Sequence, residues 1–441
     1  MTSVEIIRRE ASGHAGVPGG GAASRYIANK VSPPPGAWVE TRRLRYARRD
    51  RSREILRDID VNAQGFERVS GCELVNLETG ELVDVNWARE EDRWARPPRV
   101  ARCSWALGGQ VGIHHAGGDS PAHWSGLERC GSVWSCPVCA GVIRSERAAE
   151  IQQAVEAHQA AGGSLLFFTG TLRHHAGDDL AQTLDGILTA WKRTISGAPW
   201  RRRKARHGIS GIIRSVEVTH GDNGWHPHAH VLLLLDQEMS GPDLLDFRTW
   251  LFTRWADQVE ALGCKRPTEE GLDLQPVDRH GQVLARYLSK VSGEAPRWGV
   301  GAEMARSDVK HGRGSSLAPF ELLDMDTAEA WGLWRDYYRA TKGRRAVTWS
   351  HGLKARFGIG ERSDEQIVEE TEAAPMVLVA DADDYRRVQR TAPALLPRVL
   401  ESIEAGDLDE AMHVLRARRP DPDQAPPGDA HTSGTIGKHG R

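Results

Sequence analysis

The stretch Gly224-Trp225-His226-Pro227-His228-Ala229-His230 runs without a break into Val231-Leu232-Leu233-Leu234-Leu235, and no other part of the chain restricts its fold as much. Alternate residues of a strand share a face, so the three histidines fall on one side, and His228 and His230 can both address one metal ion. The apolar run behind them has the pattern of a buried sheet strand, and Asp222-Asn223-Gly224 ahead supplies the turn of a hairpin. The strand entering that turn, Ile212 to Thr219, carries Glu217 between Val216 and Val218. A carboxylate on one strand and imidazoles on the next offer oxygen and nitrogen donors with open positions, which suits Mg²⁺ or Mn²⁺ engaged with a phosphate. Taken alone, a His-x-His pair is also compatible with a histidine-rich turn that holds no metal.

The rest of the chain has to be asked which of these it supports. Lys and Arg number 58 against 60 Asp and Glu. Net charge therefore announces no nucleic-acid partner, and only the placement of charge can. No apolar run reaches the length of a membrane span and the N-terminus lacks the layout of a signal peptide, so the expectation is a soluble cytoplasmic protein with no membrane partner. Four of the six cysteines, Cys103, Cys130, Cys136 and Cys139, lie within one short region. In a reducing compartment that clustering predicts metal rather than disulfides. A Cys-x-x-Cys turn such as Cys136-Pro137-Val138-Cys139 brings two thiolates to one tetrahedral ion, here a structural Zn²⁺. Cys130 and Cys103 are the expected remaining ligands, with His114, His115 or His123 as substitutes for either.

Taken in order, residues 1–40 form a Gly-, Ala-, Ser- and Pro-rich lead-in expected to be disordered, and 41–100 a basic N-terminal region. It opens with Thr41-Arg42-Arg43-Leu44-Arg45-Tyr46-Ala47-Arg48-Arg49, a basic helix that reads either as a grip on a DNA backbone or as a solvated charged face. Residues 101–140 are the cysteine-rich segment. A helix is predicted over Ala140 to Ala161, a central strand over Leu165 to Leu172 ending in Arg173-His174-His175, and a helix over Asp179 to Ser196. Trp200-Arg201-Arg202-Arg203-Lys204-Ala205-Arg206 follows. As a loop with a Trp beside it, this densest positive cluster suits a phosphate backbone and an unstacked base. Pro242 to Leu262 is predicted as an amphipathic helix, Gly271 to Val277 as a strand, and Gly281 to Val291 as a helix bearing Tyr287 and Lys290 on one face. A Trp- and Tyr-rich helix over Thr327 to Ala340 and a basic turn with Arg344 and Arg345 come next. Residues 361–384 are acidic, a helical pair is expected from Asp384 to Arg418, and 419–441 read as a disordered tail.

Phe167-Phe168-Thr169-Gly170-Thr171-Leu172, then Gly224 to His230, then Tyr287-Leu288-Ser289-Lys290, in that order, resemble the three motifs of the HUH endonucleases, and more narrowly the rolling-circle replication initiators of small bacterial plasmids. Cys130 to Cys139 and Gly343 to Ser350 resemble that family too, so the likeness runs from about residue 100 to 360. It implies a nickase that opens one strand at a plasmid double-strand origin, stays on the 5′ phosphate through a tyrosine, and leaves a 3′ hydroxyl for a host polymerase, with a host helicase as partner. It implies Tyr287 as nucleophile, Lys290 beside it, His228 and His230 as metal ligands, Glu217 as third ligand, and His226 as a ligand or its supporting neighbour. Arg201, Arg202, Arg203, Lys204, Arg206, Arg344 and Arg345 are the expected DNA contacts. Some members carry a glutamate four residues before the tyrosine. Here that position is Val283, so termination takes another route or another carboxylate such as Asp278.

The fold expected is therefore α+β: a central, mainly antiparallel HUH-type sheet from strands near 165, 212, 228 and 272, with helices over one face and the site on the other. The nickase domain would span 141–295, after the zinc segment, with a helical extension over 296–360 and an acidic, helical region over 361–418. An HUH transposase or relaxase would share the chemistry. A zinc-containing DNA-binding regulator would lack it, and formation of a covalent protein–DNA adduct separates the two.

Overall fold

The computed structural model describes residues 37–70, 72–118, 120–277, 316–369 and 374–417. The chain is α+β with antiparallel sheets. It resolves into two compact units, each discontinuous in sequence: residues 1–43, 105–127 and 372–441 form one, and 44–104 and 128–371 the other.

The larger unit is built on five strands: β1 (Ser164–Thr171), β2 (Ile209–Gly221), β3 (Gly224–Leu235), β4 (Leu272–Val277) and β5 (Val347–Trp349). They lie in the order β5-β2-β3-β1-β4 and every neighbouring pair is antiparallel. The four expected strands are all present. β5 adds a fifth at the edge of β2, in a segment too short for its alternation to be read. β2 and β3 close through Asp222 and Asn223, with Gly221 paired to Gly224. Gly224 has φ +78°, and a Cβ there would meet the backbone of Ala176 at 2.9 Å, so only glycine fits both the turn and the loop lying on it.

Period two decides what each strand residue touches. Ala229, Val231, Leu233 and Leu235 of β3 pack with Leu166 and Phe168 of β1 against Ile187, Ala190 and Trp191 of the helix Leu180–Thr194 and Phe247, Leu251, Trp255 and Val259 of the helix Gly241–Glu260. Leu232 and Leu234 point the other way, joining Leu165, Ile213 and Val277 under Ile151 and Val155 of the helix Pro137–Ala160. Helices thus cover both faces, where one covered face was expected. All five residues Val231–Leu235 are fully buried, because the chain provides apolar helices for each side.

Three further expectations are corrected. Trp200 to Arg206 is not a loop but part of the helix Gly197–Arg206; strong helix formers fill it, and Trp200 is buried against Trp250, its ring unavailable to a base. Within the acidic stretch 361–384, Met376–Asp381 is a strand that pairs with Gln110–His114, itself paired to His123–Ser125, giving the smaller unit its own three-stranded sheet. The expected helical pair at the C-terminal end is three helices, Ala382–Thr391, Leu395–Glu404 and Leu408–Arg416.

The basic helix runs from Ala37 to Leu56, and several of its arginines are engaged by carboxylates. Arg42 and Arg43 pair with Glu404 and Glu401 in the smaller unit. In the larger one Arg48 pairs with Asp324, and buried Arg49 meets Asp50 and Ser104. Carboxylates distant in sequence meet Arg42, Arg43 and Arg48, which local charge counting cannot foresee. A small meander of strands Phe66–Arg68, Glu73–Asn76 and Leu82–Asp84 also falls in the region expected to be merely basic.

Phe168 is fully buried, with ring centroids 4.9 Å from Trp191 and 5.9 Å from Trp255. Phe168→Ala is expected to cost about 3–5 kcal/mol in a denaturant titration, because rigid neighbours on both helices cannot close the cavity. A loss below about 1 kcal/mol would mean this aromatic cluster does not hold the helices to the sheet.

Candidate functional site

Side chains that share the histidine face can be read row by row from the register. Glu217 lies opposite His228, which lies opposite Thr171. One row along, Ser215 faces His230, His230 faces Thr169, and Thr169 faces Asp273. His226 faces Thr219 at the hairpin end. Period two therefore sets Glu217, His226, His228 and His230 on one face of adjacent strands, as the alternation required.

His230 is the best-held of these. Its Nε2 is 3.1 Å from Glu217 Oε2 and its Nδ1 is 3.1 Å from Thr169 Oγ1, and the residue is 8% exposed. Its ring stacks at 5.6 Å on Phe167 and at 6.0 Å on His228. His226 lies 4.0 Å from His228 between ring centroids and 4.5 Å from His174. Burial, reinforced by His174, pushes the His226 imidazole down to about 4, so it is a neutral nitrogen donor at physiological pH.

His174 was legible only as a polar residue at a strand end. Its Nδ1 lies 2.8 Å from the Asn223 carbonyl oxygen, which sets it beside the hairpin. The carboxylate and the imidazoles suit a divalent cation in donor type and in shared face, and Glu217 already meets one imidazole. They are not drawn to coordination distance of a common point: among the described residues, the only such set is the four cysteines, whose sulfurs all lie within 4.8 Å of one another. Tyr287, Lys290, Val283 and Asp278 lie outside the described residues.

The cysteine set is closed. Cys103 Sγ is 3.7 Å from Cys139 Sγ and 3.6 Å from Cys136 Sγ, and Cys130 Sγ is 3.7 Å from Cys139 Sγ. Sulfurs about 2.3 Å from a tetrahedral ion stand about 3.8 Å apart, so this cradle can hold one metal ion. All four are buried. Cys136 caps the helix Pro137–Ala160, Cys103 follows the short helix Arg99–Arg102, and Ser104 beside it takes a left-handed φ of 71°. Hydrogen bonds from Cys130, Cys136 and Cys139 hold the Cys103 thiol well below its ordinary range, while sharing that first thiolate pushes Cys130 and Cys136 up. A bound cation would relieve that mutual cost.

The histidines weighed as substitutes are placed elsewhere. His114 and His123 stack on each other in the smaller unit, and His114 meets the Ala374 carbonyl oxygen and Ser125 Oγ. His115 belongs to the same unit. The residues between Cys103 and Cys130 belong mainly to the smaller unit, which explains why the spacing matched no compact two-pair pattern.

Of the basic candidates, Arg203 pairs with Asp246, Arg206 pairs with Asp243 at 3.0 Å, and Arg344 pairs with Asp185 at 2.7 Å. Arg201, Arg202, Lys204 and Arg345 are exposed and make no ion pair among the described residues.

A family described as "Replication protein" matches residues 128–256, which hold Cys130, Cys136, Cys139, Glu217 and the three histidines. A "Protein rep" of Streptomyces lividans is 32% identical over 58% of this chain and 69% of its own length. A protein of Streptomyces cyanogenus named "Neomycin resistance protein" is 36% identical over 26% of this chain and 32% of its own. A "Protein rep" of Streptococcus pneumoniae is 35% identical over 17% of this chain and 22% of its own. No solved structure matches.

Cys136→Ser tests the cradle. The expected outcome is loss of the metal found by elemental analysis of the purified wild type, with a melting temperature lower by roughly 5 °C or more. A chelator should lower the wild type to the same point and leave the variant unmoved. Unchanged metal content in the variant would remove Cys136 from the ligand set.

Proposed function

This chain belongs to the Rep family of rolling-circle plasmid replication initiators, and from that premise we propose that it is an HUH-type nicking and joining enzyme acting on one strand of a plasmid double-strand origin. The observation that carries the reading is the pairing of Glu217 with His230 beside His228 on one face of the β2–β3 hairpin, a mixed oxygen and nitrogen donor set in which His230 is buried and Glu217 and His228 are partly exposed. A divalent cation bound there, Mg²⁺ or Mn²⁺, would offset the charge on a non-bridging phosphate oxygen.

In this reading the Tyr287 oxygen bonds to phosphorus as the bond from phosphorus to the 3′ oxygen breaks. The phenol proton is lost and the departing 3′ oxygen takes one up, so a 5′-phosphotyrosyl ester and a 3′ hydroxyl result. Ester replaces ester, and the bond energy is kept for rejoining. Lys290, three residues on, serves the phenol or the phosphate with its positive charge.

The tyrosines among the described residues support the choice of Tyr287 over any of them. Tyr46, Tyr337, Tyr338 and Tyr385, all those among the described residues, are buried. Burial pushes Tyr338 up to about 12 and Tyr337 higher still, away from reactivity at neutral pH. Exposed Arg201, Arg202, Lys204 and Arg345 are the side chains free to meet DNA phosphates, with Arg203, Arg206 and Arg344 held by carboxylates that a phosphate would have to displace. The four-thiol cradle takes Zn²⁺ as a structural ion. Among the described residues no helix is long and apolar enough to cross a membrane.

Purified protein with Mn²⁺ is expected to convert a supercoiled plasmid bearing the origin to open circles and to leave a protein–DNA adduct that survives denaturing gel electrophoresis. Tyr287→Phe should abolish the adduct with duplex binding nearly intact, and His230→Ala should slow nicking by about 100-fold or more. Adduct at wild-type yield from Tyr287→Phe would assign the nucleophile elsewhere, and no adduct from the wild type would favour a DNA-binding role without catalysis.

A further inference from the structure

Arg214 stands on β2 between Ile213 and Ser215, so its side chain leaves the sheet on the face opposite the histidines. The register sets it between Val231 of β3 and Thr348 of β5. Val231 belongs to the apolar layer under the helices Leu180–Thr194 and Gly241–Glu260, so the stem of Arg214 starts inside that layer. Its Nε donates to Thr348 Oγ1 at 3.1 Å, which draws the guanidinium to the edge strand. The residue is partly buried, and burial alone pushes the guanidinium down to about 10, so it is still a cation at neutral pH.

A covered cation is costly without a partner, and elsewhere the fold supplies one. The well-covered side chains of Arg49, Arg68 and Arg102 meet Asp50, Asp58 and Glu128. Arg214 has no ion pair, and neither Nη has a hydrogen-bond acceptor among the described residues. Thr348 accepts from Nε, and its own hydroxyl proton has no acceptor there either. Donors of two neighbouring side chains thus meet at one edge of the sheet with nothing to receive them, and both residues are open enough for a ligand to reach.

Donors without an acceptor, carried by a positive group, fit an anion, and the planar fork of a guanidinium matches two oxygens of a phosphate. Neighbouring elements indicate which anion. Arg201, Arg202 and Lys204 are exposed and without ion pairs on the helix Gly197–Arg206, whose Trp200 packs in the same apolar layer as Val231. Arg345, three residues before Thr348, is exposed and unpaired too. Several unpaired cations on neighbouring elements suit a polyanion, whose phosphates continue past the first, better than a single carboxylate of a protein partner.

We propose that Arg214 and Thr348 form a binding site for a backbone phosphate of duplex DNA, on the face of the sheet turned away from the histidines. The assignment rests on the DNA-binding part of the function proposed above. The strand to be nicked occupies the histidine face in that reading, which leaves the flanking duplex for the other. The fork of Arg214 takes two non-bridging oxygens, and the Thr348 hydroxyl donates to one of them. Arg214 and Glu217 lie three residues apart on one strand, so β2 joins the grip on the duplex to the nicking face. A phosphate contact sets position and carries no base identity.

The test uses the full chain and reads binding of a fluorescent origin duplex and of a scrambled duplex of equal length by anisotropy over a range of NaCl, with melting temperatures taken without DNA. Arg214→Met is expected to weaken both duplexes by the same factor, about 5–20-fold, and to flatten the slope of log affinity against log salt by about 1. Arg214→Lys, which keeps the charge and gives up the fork, should keep the slope and lose part of the affinity. Thr348→Val should weaken both duplexes by about threefold. The melting temperature of Arg214→Met should hold or rise, because an unpaired charge gives way to an apolar chain. Wild-type affinity and slope in Arg214→Met, a loss confined to the origin duplex, or a melting temperature of that variant lower by more than about 5 °C would each overturn the site. So would a wild-type melting temperature raised by inorganic phosphate at constant ionic strength, if Arg214→Met removes the rise, since the ligand would then be the free ion. A folded wild type that binds neither duplex would instead overturn the DNA-binding reading on which the site rests.

Discussion

The pairing of β2 with β3 is the constraint on which the site depends. Side chains alternate along a strand, so a slip of one residue would turn Glu217 into the apolar layer and Val216 or Val218 onto the histidine face. The two-residue turn at Asp222 and Asn223 leaves no slack for that slip, and Gly224 admits no other residue under the 175–176 backbone. The five buried residues from Val231 to Leu235 enforce the same register from the far end, because both faces of the strand have helices to satisfy. Chemistry at one end of the strand is aligned by hydrophobic packing at the other.

The layout also explains why polar residues persist at the middle of a sheet. The helix Pro137–Ala160 covers the histidine face through Ile151 and Val155, over Leu232 and Leu234, and the polar rows with Thr169, His230, Asp273 and Glu217 begin where that apolar layer stops. Burying an unpaired imidazole or carboxylate costs several kcal/mol, roughly 2–7 for an unbonded polar group. Here each tends to meet another: His230 meets Glu217 and Thr169, and Gln275 donates to Asp273 at 2.7 Å. The same helix begins at the cysteine cradle, so a metal ion there would anchor the element that roofs half of the histidine face.

Much of this was legible because it is local. The alternation of His226, His228 and His230, the apolar run after them, the turn at Asp222 and the four clustered cysteines are each short local patterns, and the strands, hairpin and cradle follow them. What was not legible depends on partners far away in sequence. The arginines from Arg42 to Arg49 read as a nucleic-acid grip or as a solvated face, and their pairing was not foreseen because Glu404, Glu401 and Asp324 stand nearly 300 residues or more away from them. Met376–Asp381 looked acidic because its neighbours are, although its own five apolar residues are what make it a strand. Thr169 was visible as a residue of a motif, but only the register shows that it lies beside His230. Trp200 was given a base to stack on, and the structure gives it Trp250.

The strand order bears on whether a tyrosine near position 287 can serve this face. β4 runs antiparallel to β1, with Asp273 opposite Thr169 and Val277 opposite Leu165, so the chain enters β4 at the histidine row and leaves it four residues farther on. At about 3.3 Å per residue the exit lies about 13 Å from the row, and β3 lies about 10 Å to the side, two strand spacings away. Tyr287 follows Val277 by ten residues, a length that spans at most about 35 Å extended and about 15 Å even if fully helical. A return to the histidines is therefore within reach of the chain for either conformation, with the length of the phenol side chain to spare.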